Sequence, residues 1–249
     1  MQDQSYLGSG KFLIREFGAA APFVEVGNCS AVTLSPQTER KTLVDYTAPG
    51  GGERNGVERL TGVEMAYIGH DFSPENFARV LRGTATSVVA GNVSDEEVVA
   101  YKGGYVPLSK LATSITSVKD PTGVTTYDAG DDYVFQDGGL FIPPDSSIAA
   151  PVSGAANIKV SYANSAQVKV QALVNPAKQY QALFLGLNEA QSGKLVRISI
   201  HKMSGGLMQQ LGLISDDYGQ FEVTGSLQTD TSKGAGLSKY FTVEQEAVA

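Results

Sequence analysis

Residues 23–83 read FVEVGNCSAVTLSPQTERKTLVDYTAPGGGERNGVERLTGVEMAYIGHDFSPENFARVLRG, and this stretch contains the patterns that decide the fold. Val32 and Leu34 alternate with polar residues in its first part, as Val63 and Tyr67 do in its later part. Alternation with a period of two is typical of a β-strand with one buried and one solvated face. The stretch therefore predicts two amphipathic strands, separated by a charged, glycine-rich segment.

A helix is predicted after the second strand. Ser73 is a good N-cap residue, Pro74 suits the first helical position, and Glu75 favours the positive end of the helix. Gly83 is expected to end the helix. An apolar stripe that should pack on a sheet is formed by Phe77, Val80 and Leu81.

The same alternation returns near the C-terminus, in KLVRISIHKM and GQFEVTGSLQTD. The apolar members of these two predicted strands are Val196, Ile198, Ile200, Phe221, Val223 and Leu227. The segment 175–193 opens like a helix at Asn175 and Pro176, but its apolar run Tyr180 to Leu187 equally suits a buried strand. We favour the strand.

Turn signals dominate the middle of the chain, where Pro-Thr-Gly, Ala-Gly-Asp-Asp and Asp-Gly-Gly separate short apolar runs. We interpret residues 105–166 as a small all-β domain on the outer surface. It is inserted into a discontinuous core domain of residues 1–104 and 167–249, whose two parts must fold together. The sequence thus predicts a mainly β protein, with a β-sandwich or barrel, one flanking α-helix and this insertion.

Composition limits the function. The 249 residues are 42% hydrophobic and 18% charged, with a net charge of −7, which disfavours nucleic-acid binding by phosphate neutralisation. The single cysteine, Cys29, cannot form an internal disulfide and suits a small buried position. No secretory signal pattern and no run of ~18 apolar residues is visible, so we expect a cytoplasmic protein without membrane insertion.

Ready-made chemical sites are not supported by the motifs. Glycines 50–52 lack the Lys-Ser/Thr pair of a phosphate loop, and Asp128, Asp131, Asp132 and Asp137 do not have calcium-loop spacing. His70 and His201 have no recognisable acid or nucleophile partner. We therefore expect no catalytic residues, no metal and no cofactor.

One alternative from another class is a surface binding module. In this interpretation, the inserted β domain is an adhesin that recognises a carbohydrate through exposed aromatic residues. The candidates are Tyr127, Tyr133 and Phe135 in TYDAGDDYVF. These residues also suit the core of a small domain, which we favour.

The first hundred residues resemble the major tail tube protein of long-tailed, non-contractile (siphovirus-type) bacteriophages, and residues 23–83 carry the likeness. The likeness rests on the succession of a strand, a long charged loop with a Pro-Gly-Gly centre, a second strand and an Asp-Phe-Ser-Pro-Glu-Asn helix. LFLGLNEAQSGKLVRISIHKM (183–203) and LGLISDDYGQFEVTGSLQTD (211–230) are similar to the strand pair that closes the sandwich of that family. About three quarters of the chain is covered, and residues near 105–166 depart from the minimal pattern.

The resemblance implies a structural virion protein that forms homo-hexameric rings, stacked into a hollow tail tube through which genomic DNA is delivered. Its partners would be other copies of itself and the tape measure, terminator and distal tail proteins at the tube ends. DNA would pass through the lumen without specific binding. Assembly would take place in the cytoplasm of the bacterial host. The inner tube protein of a contractile tail is a neighbouring alternative, because both kinds share the ring principle.

Within this interpretation, the polar faces of the strands are expected to line the lumen. They comprise Thr33, Ser35, Gln37, Glu39, Glu58, Glu64, Arg197, Ser199, His201, Gln220, Glu222, Thr224 and Gln228. Acidic residues on such a wall would repel DNA phosphates and let the genome slide. Arg197 and His201 are expected to be paired with carboxylates or outnumbered by them.

The glycine-rich segment is predicted to be a loop from Lys41 to Val57, much longer than the two to five residues usual in a hairpin. We interpret it as an arm that contacts a neighbouring ring and that its glycines keep mobile in the free subunit. Its predicted contact residues are Lys41, Leu43, Asp45, Tyr46, Pro49, Gly50, Gly51, Gly52, Glu53 and Arg54. Charged members would form complementary pairs, and apolar ones would anchor the contact.

Overall fold

A computed structural model of the chain describes residues 3–47 and 49–247. Over these residues the protein is mainly β, as predicted, and contains one α-helix. The chain divides into two compact units. The first extends to Ala85 and resumes at Val170, and the second is Thr86–Lys169.

The elements follow one another along the chain with mostly short connections. They are β1 (Gly8–Glu16), β2 (Val24–Glu25), β3 (Cys29–Val44), β4 (Glu53–Gly69), α1 (Pro74–Val80), β5 (Thr84–Val88), β6 (Gly91–Val98), β7 (Gly104–Val106), β8 (Ala112–Lys119), β9 (Val134–Gln136), β10 (Gly139–Ile142), β11 (Ile158–Asn164), β12 (Gln167–Gln171), β13 (Gln179–Asn188), a 3-10 turn (Glu189–Gln191), β14 (Lys194–Ser204), β15 (Phe221–Leu227) and β16 (Phe241–Gln245).

The first unit is built on one eight-stranded sheet with the order β2-β1-β13-β14-β15-β4-β3, and β16 also pairs with β14. The two ends of the chain meet in this sheet, because β1 pairs with β13 and β4 pairs with β15. Tyr67, for example, lies opposite Val223 in the antiparallel ladder. The ambiguous run at 180–187 forms the middle of β13, which confirms the predicted strand.

The predicted alternation places the apolar side chains in a single core. Val63, Met65 and Tyr67 of β4 are buried, and the outward-facing Glu64 is exposed. Phe12 of β1 packs against Tyr67 with ring centroids 5.2 Å apart, although the two strands are not neighbours in the sheet. The sheet therefore curls back on itself, and one of its faces encloses the core.

The helix begins as predicted. The side chain of Ser73 accepts a hydrogen bond of 3.2 Å from the backbone N–H of Asn76, and Val80 is buried in the sheet core.

The predicted role of Gly83 as the helix stop needs a correction. The residue in the left-handed conformation is Arg82, with φ of 47°, and the N–H of Gly83 donates to the carbonyl oxygen of Ala78 at 2.7 Å. Glycine is required at 83 for another reason, because a Cβ there would lie 2.5 Å from the carbonyl oxygen of Gln171.

The predicted loop Lys41–Val57 is shorter than the pattern indicated. β3 continues to Val44 and β4 begins at Glu53, so only residues 45–52 connect the strands. Alternating charges and glycines are poor markers of a buried strand, but a hairpin needs only paired backbone groups. Two-stranded ladders satisfy these groups without burying a side chain.

The second unit contains two three-stranded antiparallel sheets, β7-β10-β9 and β6-β11-β8. Between them lies a separate apolar core that includes Leu140, Ile158, Val160 and Tyr162. This unit begins about twenty residues before the predicted start at 105. The reason is β6, whose backbone pairs with β11 and therefore belongs to this sheet rather than to the first unit.

Candidate functional site

Residues 37–60 form a two-stranded hairpin that extends beyond the core of the first unit, and we call it the arm. Every described arm residue except Asp45 is exposed. Each of its strands has about eight residues, which corresponds to a length of roughly 26 Å. The arm nevertheless carries large apolar side chains, since Leu43 is 55% exposed and Tyr46 is 84% exposed. Val44, Val57 and Leu60 are exposed as well.

The turn of the arm is well defined. The N–H of Asp45 donates to the carbonyl oxygen of Gly52 at 2.7 Å, and the Asp45 carboxylate accepts hydrogen bonds from Thr47. The hydroxyl bond from Thr47 lowers the pKa of this carboxyl group, and the backbone N–H of Thr47 adds to the effect. Gly50 and Gly51 have φ values of 94° and 65°, a region that favours glycine.

A register shift changes which arm residues share a face. Gln37 lies opposite Gly62 and Thr38 opposite Leu60, so Thr61 is an extra residue in β4. The Gln37 side-chain amide donates to Glu64 at 3.5 Å, and the Thr38 hydroxyl donates to Glu58 at 2.7 Å. Glu58 therefore lies on the face opposite to Glu64. We expected Glu58, Glu39 and Glu64 to lie on one face of the sheet. This prediction is wrong for Glu58, because the bulge at Thr61 turns the side chain of Glu58 to the other face.

Most of the predicted charged contact residues of the arm have partners within it. Arg40 pairs with Glu53 at 2.5 Å, and Lys41 lies 3.8 Å from Glu39. These exposed pairs contribute little to stability. Lys41 and Glu53 thus already have charged neighbours, whereas Arg54 forms no ion pair with a described residue. Among the apolar contact residues, the exposed Leu43 and Tyr46 gain most from a partner.

A mostly polar surface, interrupted by Ala31, Ala66 and Ile68, covers the outside of β15, β4 and β3. Ser35 lies opposite Glu64, and Thr33 and Thr224 both lie opposite Ala66. Glu222 extends this surface beside Ile68. Gln220 and Gln228 flank β15 and lie just outside it.

The outer side of β1, β13 and β14 combines leucines with charged and polar side chains, since Leu185 lies between Lys11 and Arg197, and Leu183 lies opposite Ser199. Leu13 lies opposite Leu183, and Leu187 lies opposite Leu195. The exposed Leu185, Leu187 and Leu195 line an open trough of about 670 Å³, together with the charged Lys11, Arg197, Glu244 and Glu246. We call the leucines of this face, which are these three and the half-buried Leu13 and Leu183 beside them, the leucine trough. Sequence reasoning missed it, although the run LFLGL is apolar at successive positions and therefore on both faces of β13.

Arg197 and His201 differ in their partners. The guanidinium of Arg197 pairs with the Glu244 carboxylate, so the predicted pairing is confirmed for this residue. His201 forms no ion pair with any described residue. Burial lowers the pKa of His201, and the nearby charge of Lys233 lowers it further, while the charge of Asp230 acts in the opposite direction.

The aspartate cluster of the second unit has a structural role. The Asp132 carboxylate accepts hydrogen bonds from the backbone N–H groups of Asp128 at 3.0 Å and Ser147 at 2.7 Å. These hydrogen bonds lower the pKa of Asp132, and the bond from Asp128 has the largest effect. No cluster of three or more His, Cys, Asp or Glu side chains suited to a metal occurs among residues 3–47 and 49–247.

The three aromatic candidates of the adhesin alternative are not displayed together. Tyr133 is buried in the core of the second unit, Tyr127 packs against that core, and Phe135 is exposed.

A family model described as "Protein of unknown function UCP028589" matches residues 5–244. The chain belongs to this family. The matched range includes the arm, the leucine trough and the whole second unit, so all three are part of the family's sequence pattern. No curated protein sequence matches the chain significantly. Over the part of the chain that the structure describes, no helix has the length and apolar character needed to cross a membrane.

Proposed function

We propose that this protein is the tail tube subunit of a long-tailed bacteriophage, which polymerises as stacked hexameric rings into a hollow tube for DNA delivery. The observation that carries the proposal is the arm. A ribbon that extends roughly 26 Å beyond the core gains nothing for the isolated subunit from its exposed Leu43, Tyr46 and Val57. Contact with another copy would bury these side chains.

The division of the outer sheet face supports the same function. A water-filled bore requires a polar wall, and the surface that contains Thr33, Glu64 and Thr224 is polar. The leucine trough is unsuited to a bore, because exposed apolar area is costly in water. We assign it to a contact between subunits, so Arg197 would lie at an interface rather than on the bore wall.

Two edges of the large sheet, those of β2 and β3, provide a way to close a ring, and β16 beside β14 is a third end strand. β2 and β3 are the end strands of the sheet order, and their outer backbone groups have no strand partner among the described residues. Unpaired strand edges readily pair with another chain. Head-to-tail pairing around a closed ring would satisfy these groups and join the polar surfaces into a continuous bore.

Electron microscopy of the purified protein at high concentration tests this function. We expect rings or tubes of uniform bore. A variant in which a two-residue turn replaces residues 42–55 keeps the core strands but loses the arm tip, and it should remain folded without forming tubes. Ala48, within this segment, lies outside the described residues. Tubes from this variant, or a wild-type protein that stays monomeric at all concentrations, would contradict the proposal.

A matched control comes from the second unit. Val124 is 83% exposed in a turn of that unit, so Val124→Ser removes a comparable exposed side chain outside the arm. This variant should form tubes as the wild type does. If it fails in the same way, the loss in the arm variant is not specific to the arm.

A further inference from the structure

A pocket of about 190 Å³ lies beside the C-terminal end of α1 in the first unit. Three basic side chains line it, those of Arg79, Arg82 and Lys178, together with the phenol of Tyr180. The other lining residues are small or uncharged, namely Ala78, Gly83, Asn175, Pro176 and Gly205. The pocket is therefore lined by hydrogen-bond donors that converge from the helix and from the start of β13.

Both arginines have an unused donor. One Nη of Arg79 donates to the Asn76 side chain, and Nη2 of Arg82 donates to the carbonyl oxygen of Gly205 at 3.2 Å. The Nε–H groups of both arginines are buried and have no acceptor among the described residues. A buried donor without an acceptor is unfavourable, so neither guanidinium is fully satisfied by the chain itself.

The positive charge of the pocket is incompletely balanced. Lys178 pairs with Glu16 at 2.9 Å, at the exposed rim. No carboxylate of the described residues lies within ion-pair distance of Arg79 or Arg82. The last carbonyl groups of α1 compensate part of this charge but not a full unit. An anion would therefore be attracted to the pocket.

Two further features fit a binding role. Arg82 adopts a φ of 47°, a conformation in which a helix end usually has glycine. A glycine would relieve the backbone but would remove the guanidinium from the pocket. Burial raises the pKa of the Tyr180 hydroxyl, which stays protonated and able to donate.

We propose that this pocket binds an oxyanion, a carboxylate or a phosphate group, through Arg79 and Arg82. A planar guanidinium presents its N–H donors in a fork that matches two oxygens of such a group. The oxyanion is either the side chain of an Asp or Glu from a second copy of this chain or a free inorganic anion. Anion binding by the isolated subunit does not depend on the tube function proposed above.

Equilibrium dialysis against radiolabelled inorganic phosphate tests the site, at low ionic strength and at a protein concentration where sedimentation shows monomers. We expect saturable binding of one phosphate per chain. Arg82→Gln and Arg79→Gln should each lower the affinity at least tenfold, and Arg82→Lys should lower it less. Arg59→Gln removes an exposed arginine of the arm and should change the affinity less than twofold.

Thermal unfolding of each variant shows whether it is folded. Because Arg79 and Arg82 are replaced separately, the test can still be made if one of the two variants does not fold. Sedimentation of the same variants at high concentration separates the two sources of the oxyanion. Loss of self-association in Arg82→Gln, together with competition by phosphate in the wild type, indicates a carboxylate of a second copy. Normal self-association with loss of phosphate binding indicates a free anion. Absence of saturable binding, or equal affinity in wild type and both Gln variants, would overturn the proposal.

Discussion

The backbone N–H of Asp45 donates to the carbonyl oxygen of Gly52 at 2.7 Å, and this bond joins the ends of β3 and β4. It closes the arm as a hairpin. Leu43 and Tyr46 therefore occupy defined positions near its tip, ready to meet a partner. Less conformational entropy is lost when such a preformed ribbon binds than when a flexible loop does.

Removing the apolar anchors should weaken assembly without affecting folding. The side chains of Leu43 and Tyr46 are exposed in the isolated subunit. The thermal unfolding midpoint of the double variant Leu43→Ser/Tyr46→Ser should therefore stay within a few degrees of the wild-type value. Burial of a large apolar side chain contributes roughly 1.5–3 kcal/mol. The concentration at which sedimenting assemblies appear should therefore rise about tenfold or more, while Val124→Ser leaves it unchanged. An unaltered assembly threshold would show that the arm tip is not buried between copies.

The arm shows where sequence patterns lose information. Alternation identified β3 and β4 near Leu34 and Met65, because one face of each strand packs on the core there. Beyond Gln37 both faces are exposed, so no hydrophobic period remains and the ladder is invisible in the sequence. The bulge at Thr61 is equally hidden, although it decides on which side Glu58 lies.

Gly83 should tolerate no side chain. A Cβ at this position would lie 2.5 Å from the backbone oxygen of Gln171 and 3.1 Å from a methyl group of Val170. Because the backbone of Gln171 would have to move to relieve this clash, Gly83→Ala should lower the free energy of unfolding by about 1–3 kcal/mol. Gly62→Ala is the matched control, since a Cβ there meets no atom within 4 Å. Urea denaturation that finds equal stability for the two variants would refute this close approach.

Asn157 should be critical for the second unit. Its Nδ2 donates to the carbonyl oxygens of Ala100 at 2.8 Å and Ala149 at 2.7 Å, and its Oδ1 accepts from the N–H of Ala100. Asn157→Ala leaves these buried groups unpaired and should cost about 2–4 kcal/mol. Hydrogen exchange measured by mass spectrometry should accelerate in peptides from 86–169. Gln136→Ala, which removes only an exposed bond to Asp137, should leave exchange unchanged.

The candidate site was only partly accessible from sequence. The alternation with a period of two is enough to predict which residues of a core strand are exposed, as it does for Glu64 next to the buried Met65. The leucine trough does not, because Leu13 and Leu183 are distant in sequence and meet only through the register of β1 and β13. The predicted start of the second unit was too late for the same reason. Only the pairing of β6 with β11 shows that β6 belongs to this unit.

Asp132 should make the second unit acid-sensitive. Its folded-state pKa is lowered by hydrogen bonds from Asp128 and Ser147, so its contribution to stability is present above the unfolded pKa of about 3.9. That contribution is lost as the pH falls from the unfolded-state pKa through the folded-state pKa of Asp132. Asp132→Asn should be less stable than wild type at pH 7 but should lose less stability on acidification. Asp131→Asn, at an exposed neighbouring position, should retain the wild-type pH profile of thermal unfolding.

Reversing the charge of the polar surface should make assembled tubes retain DNA. Glu64 and Glu222 lie on this surface outside the core, where they would repel phosphates in a bore. Glu64→Lys/Glu222→Lys changes the charge by four units per chain without altering a buried residue, so tubes should still form. Sedimented variant tubes should carry short DNA fragments at low salt and release them at high salt, whereas wild-type tubes carry none. Glu97→Lys, an exposed acidic residue of the second unit, is the control. If that control retains as much DNA as the double variant, the polar surface does not line the path of the DNA.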